Sequence, residues 1–231
     1  MIGKIKNFLF YLVLFSIPLN LGKHFIFEFS YINSRLIDYV IPTIYVQDIL
    51  VFLLVLISLP DIVNSIKSSL QNWEFAILVL FFGSLTFSVF SAPFVFPALY
   101  FFLHLQIYAL FGFYAFSQIN FFSEFPKILR IFAILAFFQS TLGICQWVAK
   151  GSIFDNYLFF GEQPYSISTP GIAKTSLGGV SHVLPYGTFR HPNTLAGFLV
   201  FCLLFILGSK PKNKIYYSVV FLSFLCLLLT F

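Results

Sequence analysis

Pro185-Tyr-Gly-Thr-Phe-Arg-His-Pro-Asn-Thr-Leu-Ala-Gly-Phe-Leu199 is where the chain changes character. The only long polar segment precedes it, and the chain beyond it is apolar almost to the last residue. Gly187 permits a tight turn, and Pro192 suits the first position of a helix, where a missing N–H costs nothing. His191 and Thr188 are the candidate caps. The helix so begun is apolar over residues 195–207, which takes it into a membrane rather than a soluble core. Its free N–H groups and positive dipole end face the loop, with Arg190 and His191 beside them. Such a helix mouth suits an anion, most often a phosphate.

Composition agrees with a bilayer as solvent. The 231 residues are 59% hydrophobic and only 9% charged, against roughly 25% charged in a soluble domain. A soluble fold has no interior for 35 Phe. The formal charge of +5 is not gathered into a Lys/Arg-rich run or an aromatic platform, which argues against nucleic acid. Cys145, Cys202 and Cys226 all fall in apolar runs and read as small buried hydrophobes, with no zinc spacing and no CxxC pair. The basic start of the chain leads into an apolar run without a small-residue cleavage site, so it reads as a first anchor and not as a signal peptide.

A spanning helix needs roughly 20 mostly apolar residues, and seven runs approach that length. They cover residues 7–21, 44–59, 73–92, 98–118, a fifth run from the Lys127 and Arg130 loop to about 150, residues 192–208, and a last run from 215 onward. A polar stretch with Glu28, Arg35 and Asp38 separates the first two, and Pro60-Asp61 closes the second. The expected fold is an all-α, polytopic integral membrane bundle of about seven transmembrane helices with one long external loop. Its segments are a five-span bundle over 1–149, the loop over 150–191 and two further spans over 192–231. The last run is still apolar at Phe231, with no interfacial anchor after it, so the seventh span is expected to be truncated.

Basic residues set the orientation. With the N-terminus in the cytoplasm, Lys4, Lys6, Lys67, Lys127, Arg130, Lys210, Lys212 and Lys214 lie inside, and Lys23, Arg35, Lys150, Lys174 and Arg190 lie outside. The inner side holds the majority, which places the 150–191 loop outside the cytoplasm. Within that loop, residues 152–160 suggest a short interfacial amphipathic helix. The alternation Ile172, Lys174, Ser176, then Gly178-Gly179, then Val180, His182, Leu184 suggests a small hairpin.

The stretch Tyr186-Gly-Thr-Phe-Arg-His-Pro-Asn-Thr-Leu-Ala-Gly-Phe-Leu199 resembles the signature of the O-antigen ligase and O-antigen polymerase superfamily. Gly161-Glu162-Gln163 and Thr169-Pro-Gly-Ile-Ala-Lys174 resemble one bacterial branch of it. The likeness is specific over residues 146–199 and only hydropathic before that. It implies a glycosyltransferase of the bacterial cell envelope, in the cytoplasmic (inner) membrane, serving lipopolysaccharide or other polysaccharide biosynthesis. Such proteins move a glycan from an undecaprenyl-diphosphate-type carrier to a glycan, lipid or protein acceptor. It also implies a later external loop with essential Arg and His, so these 231 residues by themselves are expected to be inactive.

Arg190, Lys174, His191 and Asn193 are the candidate residues for the diphosphate, as a cationic patch over a helix N-terminus. The plainer reading is a solvated loop with two ordinary basic residues. Glu162, the only external carboxylate near the motif, is a weak candidate general base; capping a turn or pairing with Lys174 is the favoured account. No cofactor is called for, and His182 with His191 makes a poor metal site. Two polar rows inside spans, Tyr100/His104/Tyr108 and Gln139/Gly143/Gln146, should face into the bundle. Interhelical hydrogen bonding is the plain account of both, and a groove for a lipid-linked substrate the sharper one. A transporter or flippase for a lipid-linked saccharide is the alternative function, although no repeat of helices supports it.

Overall fold

The computed structural model describes residues 2–37, 40–211 and 213–230, apart from the side chain of Glu74. Asp38 of the polar stretch, Lys212 of the inner basic cluster and the final Phe231 lie outside the described residues. The chain is mostly helical, with seven α-helices among them: α1 Ile2–Ser16, α2 Val46–Ser69, α3 Trp73–Phe90, α4 Val95–Gln118, α5 Phe121–Ala149, α6 Pro192–Gly208 and α7 Lys214–Leu228. Three of these, α2, α4 and α5, are long and apolar enough to cross a membrane. Many large side chains stand uncovered on the helices, among them Phe87, Phe90, Phe96 and Phe116, as on a surface whose solvent is lipid.

Three helices depart from the expected runs. α2 continues through Pro60 to Ser69. Pro60 deprives only the Leu56 carbonyl of its partner, a loss membrane helices tolerate. Asp61, expected to end the run, is ion-paired with Lys6 of α1. α5 begins at Phe121, so Lys127 and Arg130 are helical and not in a loop. Pro126 sits close to the helix start, where few N–H groups have intrahelical partners anyway. α1 stops at Ser16, because Pro18 disfavours helical geometry at the residue before it.

The strands are few and short. β1 Gly22–His24 pairs antiparallel with β4 Thr43–Tyr45, and β2 Tyr31–Ile32 with β3 Arg35–Leu36, both inside the stretch expected only to be polar. Asn33 and Ser34 turn β2 into β3 with φ of 51° and 64°. β5 Lys174–Leu177 and β6 Val180–Val183 form the expected hairpin. Gly178 and Gly179 sit at its tip with φ of 58° and 81°, the two left-handed positions that a tight two-residue turn demands.

The chain divides into two compact units. The first joins Met1–Val13 with Gly22–Phe121, and the second joins Leu14–Leu21 with Phe122–Phe231. In the first, α4 packs on α2 and α3, with β4 leading directly into α2. In the second, α5 is the central element, burying Ala136, Gln139, Ser140 and Gln146 among others. α6 packs against α7, with Leu195, Leu199 and Cys226 at its core. The loop belongs to the same unit as α5 and α6, so the units are drawn differently from the expected segments 1–149, 150–191 and 192–231.

Candidate functional site

The site is built in the second unit, where α5 meets the loop and the start of α6. Gln146 and Gln139 lie two turns apart on α5 and are 1% and 0% exposed. A glutamine amide buried among apolar side chains must find partners for both its donor and its acceptor. Gln146 finds four. Its Oε1 accepts the N–H of Tyr186 at 3.0 Å and of Gly187 at 2.7 Å. Its Nε2 donates to the Gly187 carbonyl at 2.8 Å and to Glu162 Oε1 at 2.7 Å. Gln139 does the same for the next residue, accepting the Thr188 N–H at 3.1 Å and donating to Thr188 Oγ1 at 2.8 Å. Thr188 passes its own hydroxyl proton to the carbonyl of Pro18.

The polar row of α5 therefore faces inward, as expected, and what it grips is backbone. Gly143, between the two glutamines, makes room for the grip. A Cβ there would meet Cys226 Sγ at 2.7 Å and Pro185 Cβ at 3.2 Å. Gly187 has φ of 58°, and a Cβ on it would strike the Gln139 amide oxygen. Only glycine meets both conditions at that turn.

Glu162 is fully buried. Its carboxylate accepts the N–H of Ile153 at 2.8 Å and of Phe154 at 2.6 Å, besides Gln146 Nε2. It is thus a brace that closes the 153–162 turn onto α5, and its hydrogen bonds go to backbone and Gln146, with none to Lys174. The amphipathic helix expected over 152–160 does not form. The segment has bends and turns, and Asp155 and Phe160, at φ of 50° and 56°, are in the left-handed region that a right-handed helix excludes. Gly161, at φ of 84°, passes so near the Asn20 backbone that a Cβ would lie 2.6 Å from its carbonyl carbon.

The predicted diphosphate residues sit above this clamp. His191 caps α6, its Nδ1 accepting the N–H of Asn193 at 3.1 Å, and Pro192 takes the first helical position. Thr188, the other candidate cap, is committed to Gln139 and Pro18 instead. Arg190, His191 and Asn193 are exposed. Lys174 is exposed on β5, and the neighbouring Ala173 N–H donates to Tyr186 Oη at 2.9 Å. The Tyr186 ring meets His191 edge-on at 6.3 Å. Tyr186 thereby ties the hairpin base to the cap of α6. Tyr165 packs on Tyr186, and burial first, then the Glu162 carboxylate, pushes its phenol well above the ordinary value, so it is no base.

A polar groove of about 510 Å³ opens beside the same loop, lined by Lys150, Ser152, Asp155, Ser166 and Thr169 among others, and by none of the four predicted diphosphate residues. The brace role of Glu162 and the groove were not legible from residue spacing. The one signal in the sequence was the pair of glutamines in an apolar run. No family model, curated protein or solved structure matches this chain.

Proposed function

We propose that this chain is a multi-pass protein of the bacterial cytoplasmic membrane, N-terminus inside, whose seven helices all serve as spans. Within the complete protein it forms part of a glycan transferase of the O-antigen ligase and polymerase type. The donor is a glycan on a polyprenyl diphosphate, and the acceptor is a hydroxyl presented outside the membrane. The acceptor oxygen attacks the anomeric carbon, the bond to the diphosphate breaks, and the acceptor proton leaves to solvent or to a base. Arg190, His191 and the positive dipole end of α6 offset the negative charge of the leaving diphosphate, with Lys174 as a further cation and Asn193 orienting the sugar or bracing the loop.

The observation that carries the reading is the clamp on residues 186–188. Two buried glutamines hold the backbone immediately before Arg190, so that the cation and the helix mouth are presented from a fixed base. Electrostatic stabilisation of a leaving group needs that kind of preorganisation, whereas a mere connector does not. Transfer from a polyprenyl-diphosphate glycan to an acceptor, measured in membranes holding the complete protein with Arg190→Ala beside the parent, tests it. Most transfer is expected to be lost, and an unchanged rate and donor dependence would place the diphosphate elsewhere. The second reading, a carrier or flippase for a lipid-linked saccharide, is favoured by one observation, the ionisable pair between α2 and α4.

A further inference from the structure

That pair is the polar row of α4 and its partner. His104 Nε2 lies 2.7 Å from Asp48 Oδ1, and Tyr108 Oη donates to the same oxygen at 2.7 Å. Asp48 Oδ2 accepts the Tyr45 N–H at 2.7 Å, at the start of α2. On its other side, His104 Nδ1 faces Tyr100 Oη at 3.2 Å. Tyr100 Oη donates its proton to the Thr43 carbonyl and accepts the Thr43 N–H at 3.2 Å. The Tyr100 proton is on the Thr43 carbonyl, so the proton between Tyr100 and His104 must come from Nδ1. Between Nε2 and Asp48 a second proton is needed, because a bare ring nitrogen and a bare carboxylate repel at that distance. One neutral histidine and one carboxylate hold a single proton between them, one too few.

We propose that Asp48 and His104 form an intramembrane proton site, holding one proton beyond that of a neutral histidine facing a carboxylate, and that this proton ties β4 and α2 to α4. The extra proton resides on Nε2 or on Asp48, and the hydrogen bonds are satisfied in either case. The side chains of His104 and Asp48 are 24% and 16% exposed. An apolar cavity of about 340 Å³, with Ile44, Phe52, Leu103 and Ile107 in its wall, flanks them. Such surroundings make each unmatched polar group expensive. The titratable groups around the pair are Tyr45, the last residue of β4, and Tyr100 and Tyr108 from α4. α3, which also packs on α4, has no titratable side chain over residues 75–90. Ionisable groups inside spans are costly, and proton relays are one of the uses that retain them.

The test is the ring protonation of His104, read by nitrogen NMR of histidine-labelled protein in lipid bilayers at pH 7. The chain has four histidines, so His104→Gln assigns the signal by its disappearance. If that variant does not fold, the spectrum of a chain with His24, His182 and His191 replaced assigns it instead. Two protonated ring nitrogens are expected. A ring protonated at Nδ1 alone, with a protonated carboxyl at Asp48, equally supports the site. A ring protonated only at Nε2 overturns it, because the Tyr100 proton then points to His104 and no extra proton is held. Asp48→Asn should return His104 to a single ring proton, and a ring that keeps both also overturns the proposal.

Discussion

At the scale of single residues, Gln146 outweighs every charged side chain in the loop for stability. Its amide serves two backbone N–H groups, one carbonyl and one buried carboxylate. Gln146→Leu roughly keeps the volume, orphans the two N–H groups and the Gly187 carbonyl at about 1–3 kcal/mol each, and takes one of three donors from Glu162. The variant is expected to lose cooperative melting of the second unit in detergent, with early hydrogen exchange at the Tyr186 and Gly187 amides. Glu162→Gln tests the brace directly. Its new amide donor would face N–H groups of Ile153 or Phe154, a cost of about 1–3 kcal/mol, visible as a lower melting temperature. For the transfer reaction the order is different. A hydrogen bond to a charged group contributes about 1.5–3 kcal/mol, and a helix dipole near an exposed anion about 0.3–1 kcal/mol. Arg190→Ala should therefore abolish most transfer, Arg190→Lys should keep part of it, and Lys174→Ala, on the hairpin, should cost less. The rate against donor concentration distinguishes the three.

Elements show why capping and binding at α6 are separable. His191 caps the helix through Nδ1, and losing a cap costs about 0.5–2 kcal/mol. His191→Asp supplies a good cap and an acidic group at the positive helix end, both stabilising. The same carboxylate repels a diphosphate. This variant should melt no lower than the parent while needing more donor for half-maximal transfer. Parallel loss of stability and donor affinity would mean that His191 is only a helix cap. The hairpin is held by its tip: β-branched substitution at Gly178 or Gly179, both in the left-handed region, should unpair β5 from β6 without disturbing α5.

For the whole molecule, orientation is the property that every functional statement depends on. Cysteines placed at Lys67 or Asn213 should be shielded from a membrane-impermeant thiol reagent in intact cells, whereas one at Ser166 should be labelled. Ser166 is exposed, so failure to label there would not be a matter of burial. The reverse pattern would put Arg190 in the cytoplasm and end the proposed external transfer. The ion pair of Lys6 with Asp61 has its own whole-chain meaning, since it brings the start of α1 to the later half of α2. Two helices that run in opposite directions meet in that way.

Helix positions, the glycine-tipped hairpin, the Gly187 turn and Pro192 as the first residue of α6 were all legible in the sequence. Each depends on local chemistry: hydropathic run length, left-handed φ, and the missing proline N–H. Run length misled at Pro60 and at Lys127 and Arg130, where the helix continues through residues that usually end one, and at α1, which lies over Ile2–Ser16 rather than 7–21. What Glu162, Gln139, Gln146, Asp48 and His104 do was decided by tertiary structure alone. A buried polar side chain takes whatever partner the fold brings within about 3 Å, and the pairings of Asp48 with His104, Gln139 with Thr188, and Gln146 with Glu162 and Gly187 span 16 to 56 residues of chain. Spacing within one helix shows that such a group needs a partner, but not which one. That is why Glu162 could be weighed as a base from its neighbours in sequence, and why only the packing of the loop on α5 shows it as a brace.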